Sequence, residues 1–271
     1  MAFVPLSEAA IRRDLRTEVI GRQIVCVKTT GSTNDWLKTA AAEGAPEGLA
    51  VFAEEQTAGR GQAGRTWQAP YGCSLLGSIL LRPNLPPERI FYLTMLGACA
   101  AAGAVVALTG LPVQLKWPND LISEQNKLGG ALTESSTEGG TLQYAVLGIG
   151  INVNLGRNDL AAIPGATSIR AETGRSLNRN TLARALLTAL DERYGYLAAG
   201  DYSAVHSEWR ERLNTLGKWV NRTVGGQTEG PFYAADVSET GGLILLRPDG
   251  TQVTAVAGEV SVRATPPFEQ S

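Results

Sequence analysis

The residues with most capacity for chemistry lie in one run, Gln56-Thr57-Ala58-Gly59-Arg60-Gly61-Gln62-Ala63-Gly64-Arg65-Thr66-Trp67. Bare backbone amides and two guanidinium groups in a flexible loop can surround an anion, because arginine presents a planar fork of donors to phosphate or carboxylate oxygens. Gly59, Gly61 and Gly64 satisfy G-x-G-x-x-G, but Pro70 and Gly72 interrupt any helix and no acidic residue stands about twenty positions on, so a dinucleotide fold is not expected. A solvated surface turn has the same composition and stays open as a reading.

Three further segments carry polar groups at strand ends or glycines inside strands. In Lys116-Trp117-Pro118-Asn119-Asp120 the proline stops a strand ladder, which leaves Asn119 and Asp120 at a turn where they can face a cleft. Both are also ordinary turn residues. Lys127-Leu128-Gly129-Gly130 places one ammonium beside two glycines, so a ligand could approach the backbone there; a surface lysine next to a tight turn reads the same way. Gly148-Ile149-Gly150-Ile151-Asn152 puts glycines in an apolar strand, to be explained by close packing or by a core bulge. There is no P-loop, no G-x-S-x-G and no H-E-x-x-H.

Stepping outward, a helix is expected over 7–16 and a strand over 22–28, followed by a helix capped by Ser32 or Thr33 and stopped by Gly44. Strands are expected at 49–54, 74–81, 113–117, 128–134 and 142–152, with an Ala-rich helix at 90–108. That helix is uncharged and long enough to raise the question of a membrane span, but six of its residues are alanine and two glycine, a weak transfer energy that suits a buried core helix. Helices from Asn180 to about Leu197 and around 203–213 follow. After Gly217 short strand-like runs at 219–224, 232–237, 243–247, 252–256 and 260–263 alternate with Gly-rich turns. The expected architecture is α+β: a mixed sheet with packed helices over 1–216, then a small barrel-like β unit over 217–271.

The composition narrows the function. The 271 residues allow a properly buried core. Lys and Arg total 24 against 26 Asp and Glu, without the basic surplus of a nucleic-acid binder. Three scattered cysteines, Cys26, Cys73 and Cys99, fit a reducing compartment and a cytoplasmic protein; no signal-peptide core is evident near the start. One histidine, His206, and no C-x-x-C pair leave little material for a zinc site or a His-based triad, so no protein-held metal is expected.

In order and spacing, Ser32-Thr33-Asn34, the 59–67 loop, the 116–120 turn, the 127–130 segment and the 148–152 strand resemble the biotin protein ligases. The resemblance extends to Asn178-Arg179-Asn180 before the late helix and to Gly258-Glu259-Val260-Ser261-Val262-Arg263, and so covers nearly the whole chain. It implies a catalytic domain of the class II aminoacyl-tRNA synthetase/biotin ligase type followed by an SH3-like barrel. The implied reaction joins biotin to ATP, with Mg²⁺, as biotinyl-AMP and then to a lysine of a biotin carboxyl carrier protein.

By resemblance, Ser32, Thr33, Asn34, Gln56 and Lys127 would contact biotin, with Gly130 and Gly148 flanking its ring. Gly59 and Arg60 would line the ureido and adenylate region. Gln62, Arg65, Trp67, Asn119, Asn152 and Arg179 would serve the nucleotide, reached from the barrel by Glu259 and Arg263. Arg60, Lys127 and Asp120 are the implied catalytic set, Asp120 as the group that orients and deprotonates the acceptor amine. Many bacterial members carry Arg where this chain has Gln62, so a weaker hold on the adenylate is expected.

About twenty residues precede the first expected strand, too few for the helix-turn-helix domain of some relatives. Operator binding is therefore not expected; membrane association is not expected either, from the make-up of the 90–108 helix, and the protein would work as a monomer or homodimer. Two other readings compete. A lipoate-type ligase or acyltransferase shares the fold but should lack the 59–67 loop in this form. A non-catalytic biotin- or nucleotide-binding module is disfavoured by the joint presence of Arg60, Asp120 and Lys127.

Overall fold

The computed structural model describes residues 3–257 and 260–265. The chain opens with α1 (Glu8–Arg12), β1 (Ile24–Thr30), α2 (Thr33–Ala42), β2 (Ala50–Gln56) and β3 (Ser74–Leu81). It continues through α3 (Phe91–Thr109), β4 (Gln114–Lys116), β5 (Asp120–Ser123), β6 (Asn126–Glu138) and β7 (Thr141–Asn152). Four helices follow, α4 (Arg157–Ala161), α5 (Ile169–Thr173), α6 (Arg179–Ala198) and α7 (Tyr202–Arg212). The last five strands are β8 (Trp219–Val224), β9 (Gln227–Val237), β10 (Leu243–Leu246), β11 (Gln252–Ala255) and β12 (Val260–Ala264).

The first seven strands form one mixed sheet in the order β1-β2-β3-β7-β6-β5-β4, in which only β1 and β2 pair in parallel. Every residue of β3 is buried, because helices cover it on both faces. On one face α2 lays Leu37 and Ala41, one turn apart, against Val51, Leu80 and Val146. On the other, α3 packs with α6 and α7 against β6 and β7. Gly97 explains the small-residue composition of α3: a Cβ there would stand 2.8 Å from Leu147 Cδ1, so the helix lies close on the sheet. Its apolar length is thus accounted for by the core, with 13 of its residues buried.

The second sheet is antiparallel, in the order β11-β10-β9-β8-β12. The β9–β10 hairpin is fastened to the first sheet and its helices. Trp117 Nε1 donates to Gly241 O (2.9 Å), Tyr92 Oη to Glu239 O (2.8 Å), and Arg210 forks onto Asp236 at 2.6 Å.

Several local expectations are corrected. The helix expected over 7–16 ends at Arg12. The strand expected at 113–117 shortens to β4, and Trp117, Pro118 and Asn119 form a turn into β5, a strand not anticipated. Pro118 had hidden it: the same residue that stops one ladder sets the hairpin that begins the next. Two short helices, α4 and α5, also went unanticipated between 153 and 178.

Candidate functional site

The cleft lies on the α2 side of the sheet, where α2 packs on β2, β3 and β7. Its floor follows from strand register. Gly130 of β6 stands opposite Gly150 of β7, Asp120 of β5 opposite Gly130, and Leu132 opposite Gly148. Facing residues of antiparallel strands share a side, so this row of glycines exposes bare backbone to the cleft. Side chains would fill it: a Cβ at Gly150 would meet the Trp67 ring at 3.0 Å, and one at Gly148 would collide with Asn34 Oδ1.

One wall is the start of α2. Ser32 is its N-cap in an extended conformation, and Thr33 and Asn34 are buried in the first turn. Thr33 N–H and Oγ1 both donate to Gln56 Oε1, at 2.7 and 2.9 Å, which fixes the amide at the end of β2. Asn34 Oδ1 accepts from Ser78 Oγ at 2.6 Å. The opposite lip is the β5–β6 hairpin, where Lys127 Nζ lies 2.5 Å from Asp120 Oδ1 and 5.7 Å from the centre of the Trp67 ring. Lys127 is also held through its backbone, which bonds Gly165 O at 2.7 Å and accepts from Thr167 N at 2.9 Å.

The 59–67 loop covers this space as a small folded unit. Gly61 N donates to Arg65 O (2.6 Å) and Trp67 N to Gly59 O (2.9 Å). Ser32, Thr33, Asn34, Gln56, Arg60, Gln62, Trp67, Asn119, Asp120, Lys127, Gly130 and Gly148 all line the same cleft, open to solvent. Gly150, Ala131 and Ile149 join them without having been expected. The alternating glycines 148 and 150 were the available signal, since a period of two puts both on one face.

Among the described residues that line the cleft, Trp67 Nε1 and Asn119 Oδ1 are buried with no hydrogen-bond partner. Asn119 Nδ2 is already given to Ala131 O at 2.6 Å, so the amide cannot turn freely. Buried polar atoms are rarely left unpaired. A bound ligand that offers one acceptor and one N–H would satisfy both.

Other expected residues stand elsewhere. Arg179 is only 2% exposed: it pairs with Glu54 at 2.6 Å and donates to Val4 O at 3.1 Å, a clasp between β2, α6 and the N-terminal segment. It is not among the residues that line the cleft. Asn152 is likewise consumed by the fold, with Nδ2 on Thr167 O at 3.0 Å and Oδ1 accepting from Ser74 Oγ at 3.4 Å. Gly59 shapes the loop from outside the cleft, because a Cβ there would stand 2.6 Å from Trp67 O. Arg65 is exposed and bonds Gln62 O at 3.1 Å within the loop. Arg263 is exposed on β12 opposite Asn221 and is not among the lining residues. Glu259 lies outside the described residues.

The Arg60 side chain also departs from expectation. Its guanidinium is not free for a phosphate; it is engaged by Asp35 and Glu134 at the cleft rim. The fork from Arg60 holds the Asp35 carboxyl below the ordinary carboxylate range. Burial pulls Glu134 up, but bonds from Lys38, Asn34 and Arg60 outweigh it and leave that carboxyl lowered as well.

Residues 26–152 match the Biotin/lipoate A/B protein ligase family, a stretch that begins in β1 and ends with β7. The chain is 32% identical to the Biotin--[acetyl-CoA-carboxylase] ligase of Mycobacterium tuberculosis, over 94% of this chain and 95% of the relative. It is 34% identical to the protein of that name from Paracoccus denitrificans, over 76% and 88%. A biotin protein ligase from Aquifex aeolicus, solved in complex with biotin and ATP, superposes with a TM-score of 0.75 at 26% identity and covers 90% of this chain and 100% of the solved one.

Proposed function

This chain belongs to the biotin protein ligases of the biotin/lipoate A/B protein ligase family, and on that premise we propose that its cleft activates biotin with ATP and passes it to a carrier-protein lysine. It is a biotin ligase enzyme, and the acceptor is the biotin carboxyl carrier region of acetyl-CoA carboxylase. The observation that carries the assignment of the site is the joining, in one cleft, of a glycine floor at 130, 148 and 150 with the Lys127 ammonium at its lip.

The chemistry has two parts. A carboxylate oxygen of biotin attacks the α-phosphorus of ATP, the P–O bond to the β-phosphate breaks, and pyrophosphate leaves with the electron pair. Two anions must meet, so donors and positive charge at the point of attack lower the barrier. In our reading the bare backbone floor admits the fused rings of biotin, Thr33 and Gln56 offer it polar contacts, and Lys127 faces the carboxylate and α-phosphate. The indole N–H of Trp67 and the amide oxygen of Asn119 are the groups left for the nucleotide. The acceptor amine then attacks the acyl carbon, AMP departs, and the amine's proton must be taken up. Asp120 is the carboxylate at the lip and has that role.

Magnesium enters as part of the nucleotide substrate. Among the described residues no three His, Cys, Asp or Glu side chains gather to hold an ion, and the one carboxylate lining the cleft, Asp120, already pairs with Lys127. We assign the chemistry to residues 1–216, with 217–271 as a supporting unit, and the cytoplasm as its compartment, in keeping with free thiols at Cys26, Cys73 and Cys99.

Exchange of label between pyrophosphate and ATP on purified protein tests the reading. Exchange that requires biotin, followed by transfer to an apo carrier domain, is the expected result. Exchange driven by lipoate would reassign the substrate, and biotin binding without exchange would leave a non-catalytic module.

A further inference from the structure

A buried hydroxyl stands behind the α2 wall of the cleft. Ser78 lies in the middle of β3, between Val51 of β2 and Gly148 of β7, in a buried strand whose other residues are Leu, Ile, Gly and Ser74. A hydroxyl costs free energy in such surroundings unless its hydrogen bonds are made. Ser78 Oγ lies 2.7 Å from Thr33 Oγ1 and 2.6 Å from Asn34 Oδ1, and so touches both buried residues in the first turn of α2. It is not itself among the residues that line the cleft.

The proton balance of this group follows from its residue types. The amides at its two ends are fixed as acceptors. Gln56 Oε1 faces the Thr33 N–H at 2.7 Å, and Asn34 keeps Oδ1 toward Ser78 because its Nδ2 donates to Glu134 at 2.6 Å. Between Gln56 Oε1 and Asn34 Oδ1 run three oxygen–oxygen contacts, of 2.9, 2.7 and 2.6 Å. Thr33 and Ser78 bring only one hydroxyl proton each. With the Thr33 proton on Gln56 and the Ser78 proton on Asn34, the contact between Thr33 and Ser78 has none, and lone pairs meet at 2.7 Å. The set is one donor short.

An N–H pointed from the cleft into the notch between Gln56 Oε1 and Thr33 Oγ1 removes the shortfall. The Thr33 proton then turns inward to Ser78 Oγ, and the two oxygens left without a proton between them are the two that the incoming N–H faces. A carbonyl oxygen or a ring sulfur in the same place supplies nothing. Linked bonds of this kind strengthen one another in a dry site.

We propose that Ser78 is a positioning residue that sets the specificity of the cleft for a ligand with a ring N–H. It receives the Thr33 proton, which presents Thr33 Oγ1 and Gln56 Oε1 to the cleft as a pair of acceptors, and its own proton holds Asn34 over Gly148. A cyclic urea meets that pair with an N–H, and a site built around such a donor rejects an analogue that lacks it. The proposal rests on the ligase reading for the identity of the ligand and adds to it a residue that does not touch the ligand.

The test measures binding by calorimetry to wild type, Ser78→Ala and Ser78→Thr. The probes are biotin and the two cyclic carbamates in which one or the other ureido N–H is replaced by ring oxygen. Ser78→Ala should weaken biotin by about tenfold and one of the two carbamates by less than about twofold, since that ligand has no N–H for the notch. KM for biotin should follow the binding, with kcat at saturating biotin and KM for ATP much less affected. Ser78→Thr, which returns a hydroxyl at a strand position, should recover most of the affinity. Equal losses for biotin and both carbamates would overturn the proposal and leave Ser78 a packing residue, as would a biotin affinity in Ser78→Ala within about twofold of wild type. Wild-type protein that binds no biotin would overturn the ligase reading and this proposal with it, which keeps the two failures apart. If Ser78→Thr does not fold, Ser78→Ala decides alone, because it removes only the hydroxyl oxygen.

Discussion

Lys127 and Asp120 face each other across the β5–β6 hairpin with Nζ and Oδ1 2.5 Å apart, so the cleft's lysine and, among the described residues, its one lining carboxylate are bound to each other before substrate is present. Each must exchange this partner to act. The ammonium has to reach the biotin carboxylate and α-phosphate, and the carboxylate has to reach the acceptor amine. The pair is only partly withdrawn from solvent, at 34% and 15% exposure, which keeps that exchange accessible.

Asp120→Asn should therefore separate the two half-reactions. An asparagine cannot take the acceptor's proton, and removal of a general base costs about 10²–10⁴ in rate. Transfer from preformed biotinyl-AMP to the carrier should fall by that order, with biotin-dependent pyrophosphate exchange reduced far less. Equal loss in both assays would remove Asp120 from the transfer step.

Arg179→Met tests the reassignment of that residue. Breaking a buried ion pair leaves Glu54 charged and unmatched, at a cost of about 3–5 kcal/mol. Denaturant unfolding should show the loss, while KM for ATP measured well below the transition stays near wild type. A raised KM for ATP with unchanged stability would return Arg179 to the nucleotide.

Gln62→Arg should tighten the hold on the activated intermediate. Gln62 lines the cleft, and a charged donor to phosphate in place of a neutral one adds roughly 1.5–3 kcal/mol when the geometry is good. Biotinyl-AMP should leave the variant more slowly by about tenfold or more, followed by release of labelled adenylate into a chase. Release as fast as, or faster than, wild type would show that this position does not govern retention.

The ion pairs of Arg60 with Asp35 and Glu134 should survive mild acid. Asp35 and Glu134 both sit below the ordinary carboxylate range, so they contribute fully above that range and lose their contribution only as pH falls through their lowered values. The readout is hydrogen exchange of the loop amides. Protection should be level, after correction for the intrinsic rate, from neutrality to about pH 5 and decline only below about pH 4. A decline centred between pH 6 and 7 would exclude these carboxylates as the groups that hold Arg60.

Much of the site was legible in the residues. Ser32 and Thr33 announce a helix start, the glycines at 148 and 150 announce an apolar strand packed closely against something, and Lys127 beside two glycines announces a charge at a place of close approach. These are local signals, set by backbone geometry within a few residues, and they survive folding unchanged. The β5 strand was hidden because four residues after a proline carry too short a pattern to separate a strand from a turn.

Sequence alone, then, determined which segments build the cleft, because cap, period and glycine content are properties of neighbours in the chain. Tertiary structure alone decided which charges are spent and which remain. Arg60 and Arg179 read alike as cations, yet one meets Asp35 and Glu134 at the rim and the other meets Glu54 in the core. The partner depends on strand order and on α2 and α6 lying over opposite faces of the sheet, and an ion pair over a separation of 74 or 125 residues leaves no trace in local spacing.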